Sequence, residues 1–219
     1  MEPTTADILI RSRQTILDIL EDRGYEVTPY RNISPEQILT LAEGHGRALD
    51  IYVNKKEGDG GAVCDRAVVV YQLQDRIRPK LATFTRDIYE IPADSSEHSE
   101  IKKTDDLIVI LNEPYNEVFD KVALQMWQSQ KARLTFFHIK QVVVHLGRHD
   151  LVPPHRKLSV EEAKELMTSL NVNQKSKFPL IKHHDIQSRI LGLVPGDFVE
   201  IQRPSPTAGI VRFHRICAA

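Results

Sequence analysis

A chain of 219 residues, 41% hydrophobic and 27% charged, has the makeup of a globular protein with one large domain or two small ones. Its net charge of −1 excludes a strong free-standing nucleic-acid binder, because that affinity comes from many Lys and Arg contacts to phosphates. No run approaches the roughly 18 apolar residues of a transmembrane helix, and Cys64 and Cys217 alone cannot make a disulfide scaffold, which points to a reducing compartment.

The start, Met1-Glu2-Pro3-Thr4-Thr5, lacks the basic and apolar regions of a signal peptide. Residues 5–23 then carry a helical stripe, Ile16, Leu17 and Leu20, with Thr5 as the expected N-cap and Gly24 as the glycine that ends the helix. Ser34-Pro35-Glu36-Gln37 opens a second helix: Ser as cap, Pro at the first helical position, Gln37 closing a capping box. Residues 48–53 and 67–73 read as strands joined by a glycine-rich turn over 55–61 that lacks phosphate-loop spacing. Residues 76–91 are predicted partly helical despite Pro79, and 94–106 a polar loop. Leu107-Ile108-Val109-Ile110-Leu111 is a buried strand by its continuous apolar run. An amphipathic helix over 117–132 and a strand over 134–139 follow, and a crossover of that length predicts a parallel pair. Met126 and Trp127 on that helix are expected in the core.

A boundary falls near 140–147. From Lys140 onward there are 12 Lys and Arg against 7 Asp and Glu, or +5; the remainder holds 17 against 23, or −6. Past the boundary, Leu151-Val152-Pro153-Pro154 reads as a stiff turn, because two prolines restrict φ and remove two donors, and His149 and His155 are expected to order it. A helix capped by Ser159 runs to Leu170, Asp185 caps a short helix over 186–191, and Gly192 and Pro195-Gly196 force a turn. Strands over 198–202 and 210–216 are then joined by a long loop, 204–209.

Chemistry-bearing residues are present, but not in catalytic patterns. His145, His149, His155, His183 and His184 suit zinc by type, yet no cysteine or carboxylate completes a set at ligand spacing. Glu100-Ile101-Lys102 with Asp87 or Asp94 echoes a metal-dependent nuclease, but that chemistry needs rigid strands and this segment is polar loop. No base stands at motif spacing from Cys64 or a serine, and Cys217 reads as a small core residue. Arg148, Arg156, Lys157, Arg203, Arg212 and Arg215 could together present a basic face.

One ordered set of segments carries a resemblance: His149-x-Leu151-Val152-Pro153-x-His155, the helix from Ser159, Phe178-Pro179-x-Ile181, Gly192-Leu193-x-x-Gly196 and Arg215-Ile216-Cys217. Together they resemble the fifth subunit shared by the eukaryotic nuclear RNA polymerases I, II and III, whose C-terminal domain is similar to a small archaeal RNA polymerase subunit. Asp22-Arg23-Gly24-Tyr25 adds one match in the N-terminal half. The resemblance implies an α/β (α+β) protein with an N-terminal jaw domain over 1–140, a linker over 141–145 and a small assembly domain over 146–219. The jaw is then a mixed sheet flanked by helices.

In function the resemblance implies a non-catalytic subunit of a DNA-directed RNA polymerase with no cofactor. Its partners would be the largest polymerase subunit, the rest of the core and downstream double-stranded DNA beside the jaw, with no membrane. The assembly surface, or the turns supporting it, would comprise Leu151, Val152, Pro153, His155, Pro179, Ile181, Gly196 and Arg215. The DNA-proximal turn would hold Asn112, Pro114 and Tyr115. Location would be the nucleus in a cellular eukaryote, and host cytoplasm or virion for a viral homologue. The chain departs from the family pattern at Ile186 after Asp185, at His214 before the final Arg, and at the turn 112–117, where Glu113 and Glu117 would repel phosphate. Outside this resemblance stand a free-standing adaptor reusing the assembly fold and the nuclease.

Overall fold

A computed structural model of the chain describes residues 5–44, 47–56, 64–74, 76–90 and 101–219. Residues 57–61 of the predicted glycine-rich turn, and Asp94 and Glu100 of the nuclease reading, lie outside them. The chain divides into two units, 1–144 and 145–219. Among the described residues no helix is long and apolar enough to cross a membrane.

The first unit is a four-stranded sheet in the order β1-β2-β3-β4, formed by β1 (Ile51–Asn54), β2 (Arg66–Gln72), β3 (Asp106–Leu111) and β4 (Arg133–His138). β1 pairs antiparallel with β2, whereas β2, β3 and β4 run parallel, as the crossover between residues 111 and 134 predicts. Every residue of β3 is buried, since a central parallel strand is covered on both faces. The α-helices among the described residues of the two units are α1 (Thr5–Asp22), α2 (Thr28–Arg31), α3 (Pro35–Glu43), α4 (Leu81–Glu90), α5 (Glu117–Gln130), α6 (Val160–Ser169) and α7 (Ile186–Ile190). Val68, Val70, Leu107, Val109, Leu134 and Phe136 form one sheet face, with Leu81 and Ile88 of α4 and Phe119 of α5 packed on it.

α1 serves the other face. Its buried Arg13 donates to the Leu49 carbonyl at 2.7 Å and lies 5.9 Å from the ring centres of Tyr30 and Tyr71. Its C-terminus explains Asp22-Arg23-Gly24-Tyr25. Gly24, at φ 87°, lets its own N–H reach the Glu21 carbonyl and that of Tyr25 reach the Leu20 carbonyl. Arg23 is thereby turned inward to donate to Asp106 at 2.6 Å, with both side chains 1% exposed, and the Tyr25 hydroxyl donates to the same carboxylate at 3.3 Å. Burial first, then the Asp106 charge, pushes the Tyr25 hydroxyl well above its ordinary pKa. The Tyr30 hydroxyl both accepts from the N–H of Tyr52 and donates to its carbonyl, at 3.1 and 3.2 Å, satisfying backbone on the edge strand β1.

Two expectations need correction in this unit. Thr5 is itself helical and is not the cap. Trp127 is only half-buried and does not join Met126 against the core; Lys131 and Arg133 each lie 5.1 Å from its ring centre, because the helix ends there and turns both cations over the indole. The capping box of α3 is as predicted, with Ser34 Oγ accepting from Gln37 N–H and Gln37 Oε1 from Ser34 N–H. Residues 139–142 close a 3-10 turn in which Ile139 and Val142 are buried.

The second unit is a sheet in the order β5-β7-β8-β6, from β5 (His155–Lys157), β6 (Leu180–Lys182), β7 (Phe198–Ser205) and β8 (Gly209–Ala218). β7 and β8 make an antiparallel hairpin paired from Phe198↔Ile216 to Ser205↔Gly209. The predicted long loop therefore shrinks to residues 206–208. Pro204 is tolerated in β7 because pairing with β5 ends at Ile201, leaving one flank without a ladder. The three-residue strands β5 and β6 escape sequence reading, being too short to show alternation. α6, capped by Ser159 as expected, covers one face, where Leu158, Phe178, Phe198 and Ile216 meet Ala163, Leu166 and Met167. Ile181, Leu193, Val199, Ile201 and Cys217 fill the other.

Candidate partner-binding surface

The stiff turn before β5 is ordered by its two histidines, as the sequence predicts. Leu151 N–H donates to His149 Nδ1 at 3.2 Å, and His155 Nδ1 donates to the Pro153 carbonyl at 2.6 Å. Burial holds the His155 pKa below its ordinary value, so the ring is neutral and the Pro153 bond fixes its tautomer. Gln202 N–H donates to the Pro154 carbonyl at 3.0 Å and ties the turn to β7. Val152 and Pro153 are half-buried, which leaves Leu151, 87% exposed, at the tip. Covering one such leucine contributes about 1.5–3 kcal/mol.

Pro179, Ile181, Gly196 and Arg215 converge on β8. Ile216 N–H donates to the Pro179 carbonyl at 2.9 Å, and Arg215 Nη1 donates to the Leu180 carbonyl at 2.9 Å. Gly196, at φ 98°, donates to the Cys217 carbonyl at 2.9 Å in a backbone conformation that a side chain would strain. Ile181 lies in the core opposite Cys217, so it supports the surface from beneath and is not part of it. The sequence reading missed Val160, Leu180, Ile210 and Phe213, all exposed. Only Leu180 carried a signal, standing between Pro179 and Ile181.

Half of the predicted basic face is paired with carboxylates. Arg156 pairs with Glu162 at 2.7 Å, Lys157 with Asp197 at 2.7 Å, and Glu200 stands within 4.0 Å of Arg212 and 3.5 Å of His214. The carboxylates come from α6, from the turn before β7 and from β7, and folding alone sets them beside these cations.

In the first unit, the turn after β3 also differs from expectation. Glu113 is buried and accepts from the N–H groups of Ile77 and Arg78 at 2.9 and 3.1 Å, so its carboxylate is turned inward onto backbone donors. Glu117 remains exposed. Tyr115 packs on Phe119, ring centres 5.8 Å apart, and bonds Asp120 through its hydroxyl, while Asn112 Nδ2 reaches the Leu73 carbonyl at 3.5 Å. Pro114 and Asn112 are exposed.

Among the described residues no three His, Cys, Asp or Glu side chains gather as a metal site would need. Cys217 is buried, and desolvation pushes its thiol up to about 12. In a Cys64→Ser variant, Ellman's reagent at pH 8 is expected to release no colour from the native protein within minutes and one equivalent after unfolding. Fast native reaction would refute the burial of Cys217.

Residues 144–217 match the family described as RNA polymerase Rpb5, C-terminal domain. Over 209 residues the chain is 27% identical to the Dictyostelium discoideum protein called DNA-directed RNA polymerases I, II, and III subunit rpabc1, covering 95% of this chain and 96% of that one. It is 44% identical over 72 residues to DNA-directed RNA polymerase subunit Rpo5 of Pyrococcus abyssi, covering 33% of this chain and 87% of the relative. The subunit Rpo5 of Archaeoglobus fulgidus is 46% identical over 71 residues, 32% of this chain and 92% of its own.

Proposed function

Because the chain belongs to the family of RNA polymerase subunits that includes Rpb5 and Rpo5, we propose that it is a non-catalytic subunit of a multisubunit DNA-directed RNA polymerase. The second unit docks on the largest subunit, and the first forms part of the jaw beside downstream DNA. The observation that carries the docking half is the turn at 149–155: a rigid loop, hydrogen-bonded at both histidines, that holds Leu151 in solvent with no use inside its own fold. A residue preorganised in this way loses little entropy on burial against a partner. Val152, Pro153, His155, Pro179 and Arg215 complete or support that surface, with Ile181 and Gly196 holding it from within.

The jaw half rests on similarity along nearly the full chain and on the inward turn of Glu113, which leaves Asn112 and Pro114 exposed at the turn. A eukaryotic relative of matching length supports a nuclear location.

Affinity purification of the tagged chain, with mass spectrometry of what it retains, tests the reading. The wild-type chain is expected to retain the polymerase with its largest subunit. Pro153→Asp, or deletion of 149–157, is expected to lose at least nine-tenths of it, roughly 1.4 kcal/mol or more of binding. Unchanged retention by either variant counts against the docking surface. A wild-type chain that retains other proteins and no polymerase subunit would identify a free-standing adaptor instead.

A further inference from the structure

The pairing His155↔Ile201↔Phe213 sets three side chains in one row across β5, β7 and β8, on a single face of the second sheet. Arg203 and Arg215 each stand two residues from a member of that row and project from the same face, one about 7 Å to either side. Ile201 is the buried floor, and Phe213 is 47% exposed. The Arg203 guanidinium lies 5.3 Å from the Phe213 ring centre, and Arg215 is braced on the Leu180 carbonyl. His155 is kept neutral by burial, with both arginines acting on it in the same direction and Asp185 against them. Among the described residues neither Arg203 nor Arg215 has a carboxylate within 4.0 Å, in contrast to Arg156 and Lys157 on β5 and Arg212 on β8.

We propose that this row is the seat of an Asp or Glu side chain carried on an otherwise apolar segment of the partner protein. The carboxylate lies over the row, flanked by Arg203 and Arg215, and its apolar neighbours cover Phe213. An arginine stacked on a ring keeps its N–H edge free for a bidentate acceptor, and its planar fork matches a carboxylate. The chemistry favours protein over nucleic acid: two arginines beside an exposed phenylalanine give few phosphate contacts, whereas an aromatic with arginines is typical of a protein interface centre. This inference rests on the reading that the second unit docks on a polymerase subunit, and it specifies the chemistry of that contact.

Arg203 is exposed and its change leaves the core intact, so it carries the test. Purified through the tagged full chain, Arg203→Glu is expected to retain about tenfold less polymerase than wild type, and Arg203→Lys, which keeps the charge but loses the bidentate fork, an amount between the two. The amine introduced by Arg203→Lys is expected to form a carbodiimide cross-link to an Asp or Glu of the partner. Wild-type retention by Arg203→Glu, with the polymerase still bound to wild type, overturns this inference and leaves the docking reading standing. Polymerase retention that nuclease treatment abolishes would place nucleic acid on the row and overturn this inference together with the docking reading. Loss of retention by Phe213→Ala with an unchanged melting temperature supports it.

Discussion

Arg23→Ala is expected to lower the unfolding free energy of the first unit by about 3–5 kcal/mol, the cost of breaking a buried ion pair from one side. The side chains of Arg23 and Asp106 are each 1% exposed and lie 2.6 Å apart. Removing the guanidinium leaves a carboxylate at the start of the central strand with the Tyr25 hydroxyl at 3.3 Å as its remaining side-chain donor from this cluster. Tyr25 in turn accepts from Cys64 N–H at 3.1 Å, so the loss spreads to the start of β2. Trp127, the single tryptophan, sits on α5 and reports this unit in a urea titration by fluorescence. Adding Asp106→Asn to Arg23→Ala is expected to recover at least ~1 kcal/mol, since it removes the stranded charge while keeping an acceptor for Tyr25. A single-variant loss below about 1 kcal/mol would show that water reaches the site.

Phe198→Ala is expected to unfold the second unit. Phe198 is 1% exposed, meets Phe178 edge to face at 4.9 Å, and accepts from Leu158 N–H through its carbonyl. Truncating a buried phenylalanine costs about 3–5 kcal/mol. A single core in a unit of about 75 residues rarely supplies more than that in total, so the loss consumes the whole stability of the unit. Hydrogen exchange is expected to show lost protection across the amides of β7 and β8, with the amides of β3 still protected. Retained protection in the hairpin would mean that Phe198 is not the centre of this core. Under the proposed function the variant also loses the polymerase, but through unfolding, which the melting curve separates from Arg203→Glu.

The sequence was most legible where local chemistry suffices. Ser34 with Gln37, Ser159, Asp185 and Gly24 mark helix ends by groups a few residues apart, and those ends form as read. The run 107–111 declares a strand covered on both sides, and the histidines at 149 and 155 do order the intervening turn. It was least legible where partners come from afar. β5 and β6 exist because β7 and β8 offer them edges, and nothing within three residues announces that. Asp22-Arg23-Gly24-Tyr25 was readable as a motif, but its reason is an aspartate more than eighty positions away.

The order of residues alone settles the longer helices and strands and the family to which they belong, because caps, periodicity and ordered short motifs are local properties of the chain. Where each charge goes is settled only once the chain has folded. Glu113 looked like a repulsive surface acid and is a buried acceptor, and a basic face of six residues lost Arg156 to Glu162 on α6, Lys157 to Asp197 before β7 and Arg212 to Glu200 on β7. Charges act through space over a few ångströms, and a one-dimensional list does not contain those distances. Folding pairs half of the six cations and leaves Arg203 and Arg215 beside an exposed Phe213.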